Sequence, residues 1–361
     1  MTMLDARIRK RLGAGNAPVI DVHIQAANGI TVLFGPSGAG KTSILRAVAG
    51  LLVPDEGLIT LGETVFFDSA HGVNIPVRRR GVGYVFQNHL LFPHMTAEQN
   101  ALYGARGGDE KSARERVHDL FVMMGISKTA SRRPHELSGG EQQRVALVRA
   151  LASEPSIMLL DEPLSSVDSA TRSRLTEEIA DIQQKTGVPF LYVTHNHAEA
   201  MRLGKTMFLI DEGKIARRGT PSEIINTPQT ASVARIVGTE NIFCGKISRH
   251  QPDEGLTTID AGGCEIETSY NGLEIGSAIT VGIRSEDILV SRERITQTSA
   301  RNVLEGEIKN IFQGGDKTSL VVNCGVNFKV SLTPAAARIL ELTEGCRIFL
   351  IFKAWSVHVL T

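Results

Sequence analysis

The chain has no run of 18 consecutive apolar residues, so no segment reads as a bilayer-spanning helix. It has no surplus of charge of either sign: Lys and Arg number 39, and so do Asp and Glu. A general nucleic-acid binder carries excess positive charge, and this balance argues against one. Cysteine is scarce. Cys244, Cys264, Cys324 and Cys346 all lie in the C-terminal third, none at CxxC spacing. That speaks against a close-spaced metal or redox pair and for ordinary thiols in a reducing cytosol. Arg7, Arg9, Lys10 and Arg11 are followed by no apolar stretch, so no secretory signal is expected. Any role at a membrane therefore passes through a partner.

At 361 residues, 42% of them hydrophobic, the chain suggests two or three globular domains. Leu4, Ala6 and Ile8 alternate with polar neighbours, as do Ile20, Val22 and Ile24. Both runs read as half-buried strands joined by a Gly13–Pro18 turn. Ile30–Phe34, Ile157–Leu160, Phe190–Thr194 and Met207–Ile210 are apolar runs of buried-strand length. Lys41–Val48 reads as a helix stopped at Gly50, and Thr96–Met124 and Ala170–Lys185 also look helical. Strands interleaved with helices predict a largely parallel α/β sheet up to about residue 235. Beyond it, short β-like runs and turn glycines dominate, with one short helix at Pro334–Leu342. A faint tandem repeat pairs Asn241–Ile247 with Asn302–Ile308. It also pairs Gly276, Ile279, Val281, Ile283 and Ile288 with Gly345, Ile348, Leu350, Phe352 and Val357. Two small β-barrels in series fit this pattern.

The clearest motif is Gly35-Pro-Ser-Gly-Ala-Gly-Lys-Thr42, a G-x-x-x-x-G-K-[ST] loop with a strand before it and a helix after. Its glycines let the loop's backbone N–H groups turn toward phosphate oxygens at the positive end of a helix, so Gly35, Pro36, Ser37, Gly38, Ala39, Gly40 and Ser43 are expected to line the nucleotide. Lys41 reaches the β- and γ-phosphates, and the Thr42 hydroxyl ligates Mg²⁺. Ile157–Glu162 is an apolar strand ending in two acids. Asp161 is the expected Mg²⁺ ligand and Glu162 the general base on the attacking water.

Between these lies Leu137-Ser-Gly-Gly-Glu-Gln-Gln-Arg144, which resembles the signature of the ATP-binding-cassette family. Phe86-Gln87, Ser165–Asp168 and Val193-Thr-His195 match that family's glutamine loop, D-loop and switch histidine, in family order. The resemblance covers residues 1–235. It implies that Gln87 senses Mg²⁺ and the attacking water and that His195 contacts the γ-phosphate and the base. It implies also that Ser138, Gly139 and Gly140 complete the nucleotide site of a partner protomer in a head-to-tail homodimer, and it places Gln142 and Asp168 among the nucleotide-binding residues. The family stacks adenine on an upstream aromatic residue. No Phe, Tyr or Trp precedes Phe34 here, so the base needs another partner, such as an Arg side chain from Arg7–Arg11, and GTP stays open beside ATP.

Ala27–Thr31 and Arg80–His94 are similar to the ATPase subunit of molybdate importers. Thr298–Gly306 and Phe352–Val357 are similar to that family's oxyanion-binding (Mop-type) barrel, while residues 240–293 look like a generic accessory barrel of TOBE type. A tetrahedral oxyanion wants hydroxyl and cationic donors, and Ser299, Arg301 and Lys353 supply them. In the repeat, Glu240 stands opposite Arg301 and Arg284 opposite Lys353, so by charge the second unit is the better anion site.

The expected architecture is thus an α/β P-loop cassette at 1–235, with a helical signature subdomain at about 88–150. An accessory barrel follows at 236–293 and an oxyanion-binding barrel at 294–361, both all-β and OB-like. The resemblance implies ATP hydrolysis with Mg²⁺, energising import of molybdate or tungstate through integral-membrane permease subunits. It implies a peripheral place on the cytoplasmic face of the inner membrane and an indirect partner, a periplasmic or extracellular anion-binding protein. Import of sulfate, phosphate or ferric iron is the alternative within this class. A soluble cassette mechanoenzyme is the alternative outside it. The segment His89–Tyr103, with Leu90, Leu91, Phe92 and Met95, is the expected permease-docking surface.

Overall fold

The computed structural model describes residues 2–13, 18–105, 109–315 and 317–360; the interior of the expected Gly13–Pro18 turn, 14–17, lies outside the described residues. The chain divides into two compact units, Met1–Ile224 and Ile225–Thr361, so the first ends eleven residues before the expected 235 (235 − 224).

In the first unit, β1 (Thr2–Arg11) and β2 (Val19–Ala27) form an antiparallel pair, and β3 (Ile30–Phe34) leads into α1 (Lys41–Ala49). Next come β4 (Glu56–Leu61), β5 (Thr64–Asp68), β6 (Val73–Asn74) and β7 (Val82–Val85), then helices α2 (Ala97–Gly104), α3 (Glu110–Met123) and α4 (Gly139–Leu151). The chain continues with β8 (Ile157–Asp161), α5 (Ser169–Thr186), β9 (Phe190–Thr194), α6 (His197–Leu203), β10 (Thr206–Asp211) and β11 (Lys214–Gly219). All eleven strands join one sheet in the order β6-β5-β4-β1-β2-β11-β10-β3-β9-β8-β7.

The expectation of a largely parallel sheet needs correcting. Only the β10-β3-β9-β8-β7 half is continuously parallel; β6, β5, β4, β1 and β2 make an antiparallel wing. The physical difference shows in the burial. Strands β3, β8 and β9 are buried at every residue, as strands covered on both faces must be. By contrast β2 alternates, burying Ile20, Val22, Ile24 and Ala26 on one face. Ile44, Leu45 and Val48 of α1 pack into the same core as Leu33, Leu159, Leu191 and Ile210, which fixes the glycine loop against the ends of the parallel strands.

The single helix expected over Thr96–Met124 is two. Gly104 lies so close to the Arg149 carbonyl that a Cβ would stand 1.9 Å from its oxygen, and Asp109 starts the next helix by accepting from the Ser112 N–H at 2.7 Å. Arg80, buried, closes the other end of α1. Its guanidinium donates to the Ala47 and Val48 carbonyls at 2.9 and 2.8 Å and to Ile75 O at 2.8 Å. The Ala47 and Val48 carbonyls belong to the last helical turn, where carbonyls run short of intrahelical donors; Ala47 O also accepts from the Gly50 N–H at 3.1 Å.

Two short helices, α7 (Pro221–Asn226) and α8 (Ala231–Ile236), precede the β-rich segment. There β12 (Asn241–Gln251), β13 (Leu256–Asp260), β14 (Glu265–Ser269), β15 (Ala278–Ile283) and β16 (Leu289–Ser291) are followed by β17 (Asn302–Gly314), β18 (Lys317–Asn323) and β19 (Asn327–Leu332). Helix α9 (Pro334–Ile339), β20 (Arg347–Phe352) and β21 (His358–Leu360) complete the unit. The sheets run β14-β13-β12-β15-β21 and β16-β20-β17-β18-β19. The expected boundary at 293/294 therefore does not separate them: each sheet takes its short last strand from the other half of the repeat. Val281 pairs with Val359 and Leu350 with Val290, at matching positions of the repeat. The repeat's asparagines do the same work in each half. Asn241 bridges the backbone N–H and carbonyl of Lys329, and Asn302 those of Glu267. One apolar core spans both sheets, from Ile247 to Val357.

Candidate nucleotide site

The glycine loop runs from β3 to α1. Gly35 has φ 153°, and a Cβ there would stand 2.1 Å from the Ile210 carbonyl oxygen, so only glycine fits. Pro36, Ser37 and Gly38 are exposed on the loop, Ala39 is buried beneath it, and Gly40, at φ 99°, precedes the first helical residue. Lys41 folds back over the loop and donates to the Gly35 and Pro36 carbonyls, both at 2.8 Å. Burial pushes its ammonium below the usual lysine range, while Glu162 and Asp161 pull the other way. Thr42 and Ser43 follow, both half-buried.

Thr42 Oγ1 donates to Asp161 Oδ1 at 2.8 Å. Tyr84 of β7 donates its hydroxyl to Asp161 Oδ2 at 3.1 Å. Asp161 is 5% exposed, and burial raises its pKa against the pull of these two hydroxyls. Glu162 follows in the left-handed region, at φ 44°, its N–H donating to Val193 O at 3.1 Å. That turn swings its carboxylate to His195, whose Nδ1 lies 3.2 Å from Oε2. Glu162, His195, Ser165, Arg172, Thr194, Asn196 and Glu199 line a cavity of about 40 Å³, room for water. Gln87 is exposed in the turn after β7, three residues beyond Tyr84.

The structure thus gathers Lys41, Thr42, Asp161, Glu162 and His195. Ser138, Gly139, Gly140 and Gln142 form a different feature, the start of α4. Ser138 caps that helix in a capping box with Glu141. The Ser138 N–H, then its hydroxyl, hold the Glu141 carboxyl below its usual range. Gln142 turns away and donates to Pro134 O at 2.9 Å and Leu137 O at 3.2 Å. Asp168 caps α5 by accepting from the Thr171 N–H at 3.0 Å. Of the basic residues considered for the base, Arg9 is paired with Glu56 at 3.2 Å and Lys10 with Asp55 at 2.6 Å.

In the second unit, Ser299 and Lys353 are exposed. Arg301 is already held by carboxylates, in contact with Glu254 and 3.4 Å from Glu267. All four cysteines are free thiols.

Residue-by-residue matching does not single out Tyr84, Arg172 or Glu199. Tyr84 lay within reach of it, being on the strand that leads into the Gln87 turn. Arg172 and Glu199 did not, because what matters is that they face each other, from two separate helices.

A glycine loop at a helix N-terminus, a lysine and hydroxyl behind it, and an acid pair ending β8, a parallel strand one place beyond the neighbour of β3, define a P-loop nucleotide-hydrolysing cassette. The sequence pattern of the ABC transporter family matches residues 20–165, and that of the TOBE domain matches 298–359. Molybdenum import ATP-binding protein ModC of Paramagnetospirillum magneticum is 33% identical over 98% of this chain and 98% of its own length. The protein of that name from Rhodospirillum rubrum is 34% identical over 98% and 97%. A dimeric ATP-binding cassette solved in a post-hydrolysis state with ADP and Pi is 27% identical, with TM-score 0.51. The match covers 61% of this chain and 99% of that one. This chain belongs to the ABC transporter family as an ATP-binding, ATP-hydrolysing subunit. Among the described residues no helix is long and apolar enough to cross a membrane.

Proposed function

We propose that this protein hydrolyses ATP to drive import of molybdate, or its analogue tungstate, through a membrane permease to which it binds from the cytoplasmic side. The observation that carries the hydrolytic reading is that Thr42 meets the buried Asp161 while His195 meets the half-buried Glu162 next to it. Glu162 takes the proton of the attacking water as general base, and His195, 3.2 Å from it, orients that carboxylate and meets the γ-phosphate. Lys41 exchanges its loop carbonyls for β- and γ-phosphate oxygens, with the N–H groups of the 35–43 loop cradling the rest. Thr42 and Asp161 fit Mg²⁺: a buried carboxylate beside a hydroxyl is a donor set for a hard divalent ion, and Gln87 is assigned as a further ligand on the family's pattern. When bound, the ion supplies charge neutralisation on the phosphate oxygens. Ser138, Gly139 and Gly140, with Asp168 nearby in sequence to the acid pair, are assigned to a second protomer's nucleotide, which makes the working unit a dimer. Gln142 supports the loop before α4 in that arrangement.

The cargo reading is supported by full-length relatives that carry the name molybdenum import ATP-binding protein. The permease reading is supported by a cleft of about 520 Å³ lined by Tyr84, Phe86, Leu90, Phe92, Tyr103 and Arg149, in which Leu90 and Tyr103 are 54% and 65% exposed. Ser299, Arg301 and Lys353 are proposed as a cytoplasmic oxyanion site in which Glu254 and Glu267 compete for Arg301.

The test is ATP-dependent uptake into vesicles holding this chain with its permease, fed by the anion-binding protein. Molybdate uptake that vanishes in Glu162→Gln supports the reading. Uptake of sulfate, phosphate or ferric iron in its place refutes the cargo. Cysteine cross-links from residues 89–103 to the permease support the docking cleft, and cross-links only elsewhere refute it.

A further inference from the structure

We propose that Glu199 is a positioning residue for hydrolysis, tying the loop that carries His195 to the loop that follows Glu162. Glu199 lies in the first turn of α6, where a helix-capping glutamate would reach back to the N–H of the capping residue, here Asn196. It does not do so. The Asn196 N–H donates instead to Thr194 Oγ1 at 2.9 Å, and that hydroxyl donates onward to Glu199 Oε2 at 2.7 Å. The same oxygen accepts from the Tyr192 hydroxyl at 2.9 Å, and the Asn196 side chain accepts from the Glu199 N–H at 3.1 Å. The carboxylate, 6% exposed, thus holds one neighbour of His195, Thr194, directly and the other, Asn196, through the Thr194 hydroxyl.

The second oxygen, Oε1, faces Arg172 Nε at 3.8 Å. Arg172 in turn donates to Leu164 O at 3.3 Å and Val167 O at 2.7 Å, inside the loop between Glu162 and Asp168. A buried carboxylate needs compensating donors, and these come from Tyr192 and Thr194 of β9, the strand that runs into His195, and from Arg172 of α5, which also holds the loop after Glu162. Breaking the link leaves Glu162 and His195 intact and frees the loops that aim them.

The inference rests on the hydrolytic reading above and is tested on the full-length chain with Mg-ATP. Glu199→Gln keeps the shape and removes the charge. It should lower kcat about 10- to 100-fold and change KM less than about twofold, the pattern of lost alignment rather than lost binding. In a His195→Ala background the same substitution should cost less than about twofold, because the loop it aims no longer carries the histidine. Thr194→Val, which removes the bridging hydroxyl, should reproduce the kcat loss and likewise be non-additive with His195→Ala. Thr194→Val serves as the deciding variant if Glu199→Gln does not fold. Glu177→Gln, on the exposed Arg202 pair beside the same groove, should hydrolyse at the wild-type rate.

Wild-type kcat in Glu199→Gln or Thr194→Val, or losses that multiply with that of His195→Ala, overturns the proposal. If wild type hydrolyses ATP and Glu162→Gln does not, a normal Glu199→Gln refutes this inference alone. If wild type does not hydrolyse ATP, the hydrolytic reading itself fails.

Discussion

Glu162 sits where chemistry and backbone strain meet, and two substitutions separate them. Glu162→Gln keeps the side-chain shape and the contact with His195 but removes the proton acceptor. Losing a general base slows hydrolysis on the order of 10²–10⁴-fold, about 3–5 kcal/mol of barrier. ATP binding should survive, because Lys41 and Thr42 are untouched. Nor should the triphosphate meet any new repulsion, since the substitution removes a carboxylate charge from beside Lys41. With hydrolysis blocked, ATP should hold two copies together, a doubling of mass by light scattering. Glu162→Gly is the complement. At φ 44° a non-glycine residue is strained by about 1–3 kcal/mol. After the entropy glycine gains in the unfolded chain, the variant should be more stable by about 1 kcal/mol, and inactive. Single-turnover hydrolysis, nucleotide binding and denaturant unfolding read these outcomes. A Gln variant that turns over like wild type refutes the assignment of the base. A Gly variant no more stable than wild type refutes the claim that strain is stored there.

Three further outcomes are expected. Arg80→Ala should destabilise the first unit by about 2–4 kcal/mol, measured by urea unfolding, because the carbonyls ending α1 lose their charged donor inside the fold. His358 is held below its ordinary pKa of 6.5, chiefly by burial and then by the Arg284 cation, with Asp287 opposing. The unfolded chain therefore takes up the proton first. Stability should fall as pH drops from 6.5 toward the depressed folded value, and His358→Gln should flatten that part of the profile; an unchanged slope counts against it. Glu254→Gln should tighten molybdate binding by about 2–5-fold, the worth of an exposed ion pair, and Arg301→Ala should abolish it, both by calorimetry. Equal affinity in all three proteins would return Ser299, Arg301 and Lys353 to the solvated surface.

The nucleotide loop was legible because its parts are contiguous: the spacing from Gly35 to Thr42 implies the turn, the helix start and the lysine together. The acid pair was legible as an apolar strand ending in Asp161 and Glu162. What the spacing does not carry is conformation. Nothing in the residue types announces that Glu162 turns left-handed to meet His195. The Glu199–Arg172 link joins residues 27 apart (199 − 172), which no periodicity connects. The parallel sheet was over-read even though the alternation of β1 and β2 was legible, because alternation marks a one-sided strand without saying which strands pair or in which direction. In the second unit the repeat was legible from Asn241 and Asn302. The exchange of β16 and β21 was not, since three-residue strands leave no pattern and either sheet accepts them.

That exchange constrains how the protein is made. On the ribosome, β12 to β15 emerge well before β21, yet their sheet stays open along β15 until His358–Leu360 has been synthesised. During that interval an unpaired strand edge faces the crowded cell, where another chain can add to it. The lower half of the repeat is thus both the neighbour of the upper half and its chaperone. A frameshift or proteolytic nick beyond Phe352 would injure the part of the unit that was translated first.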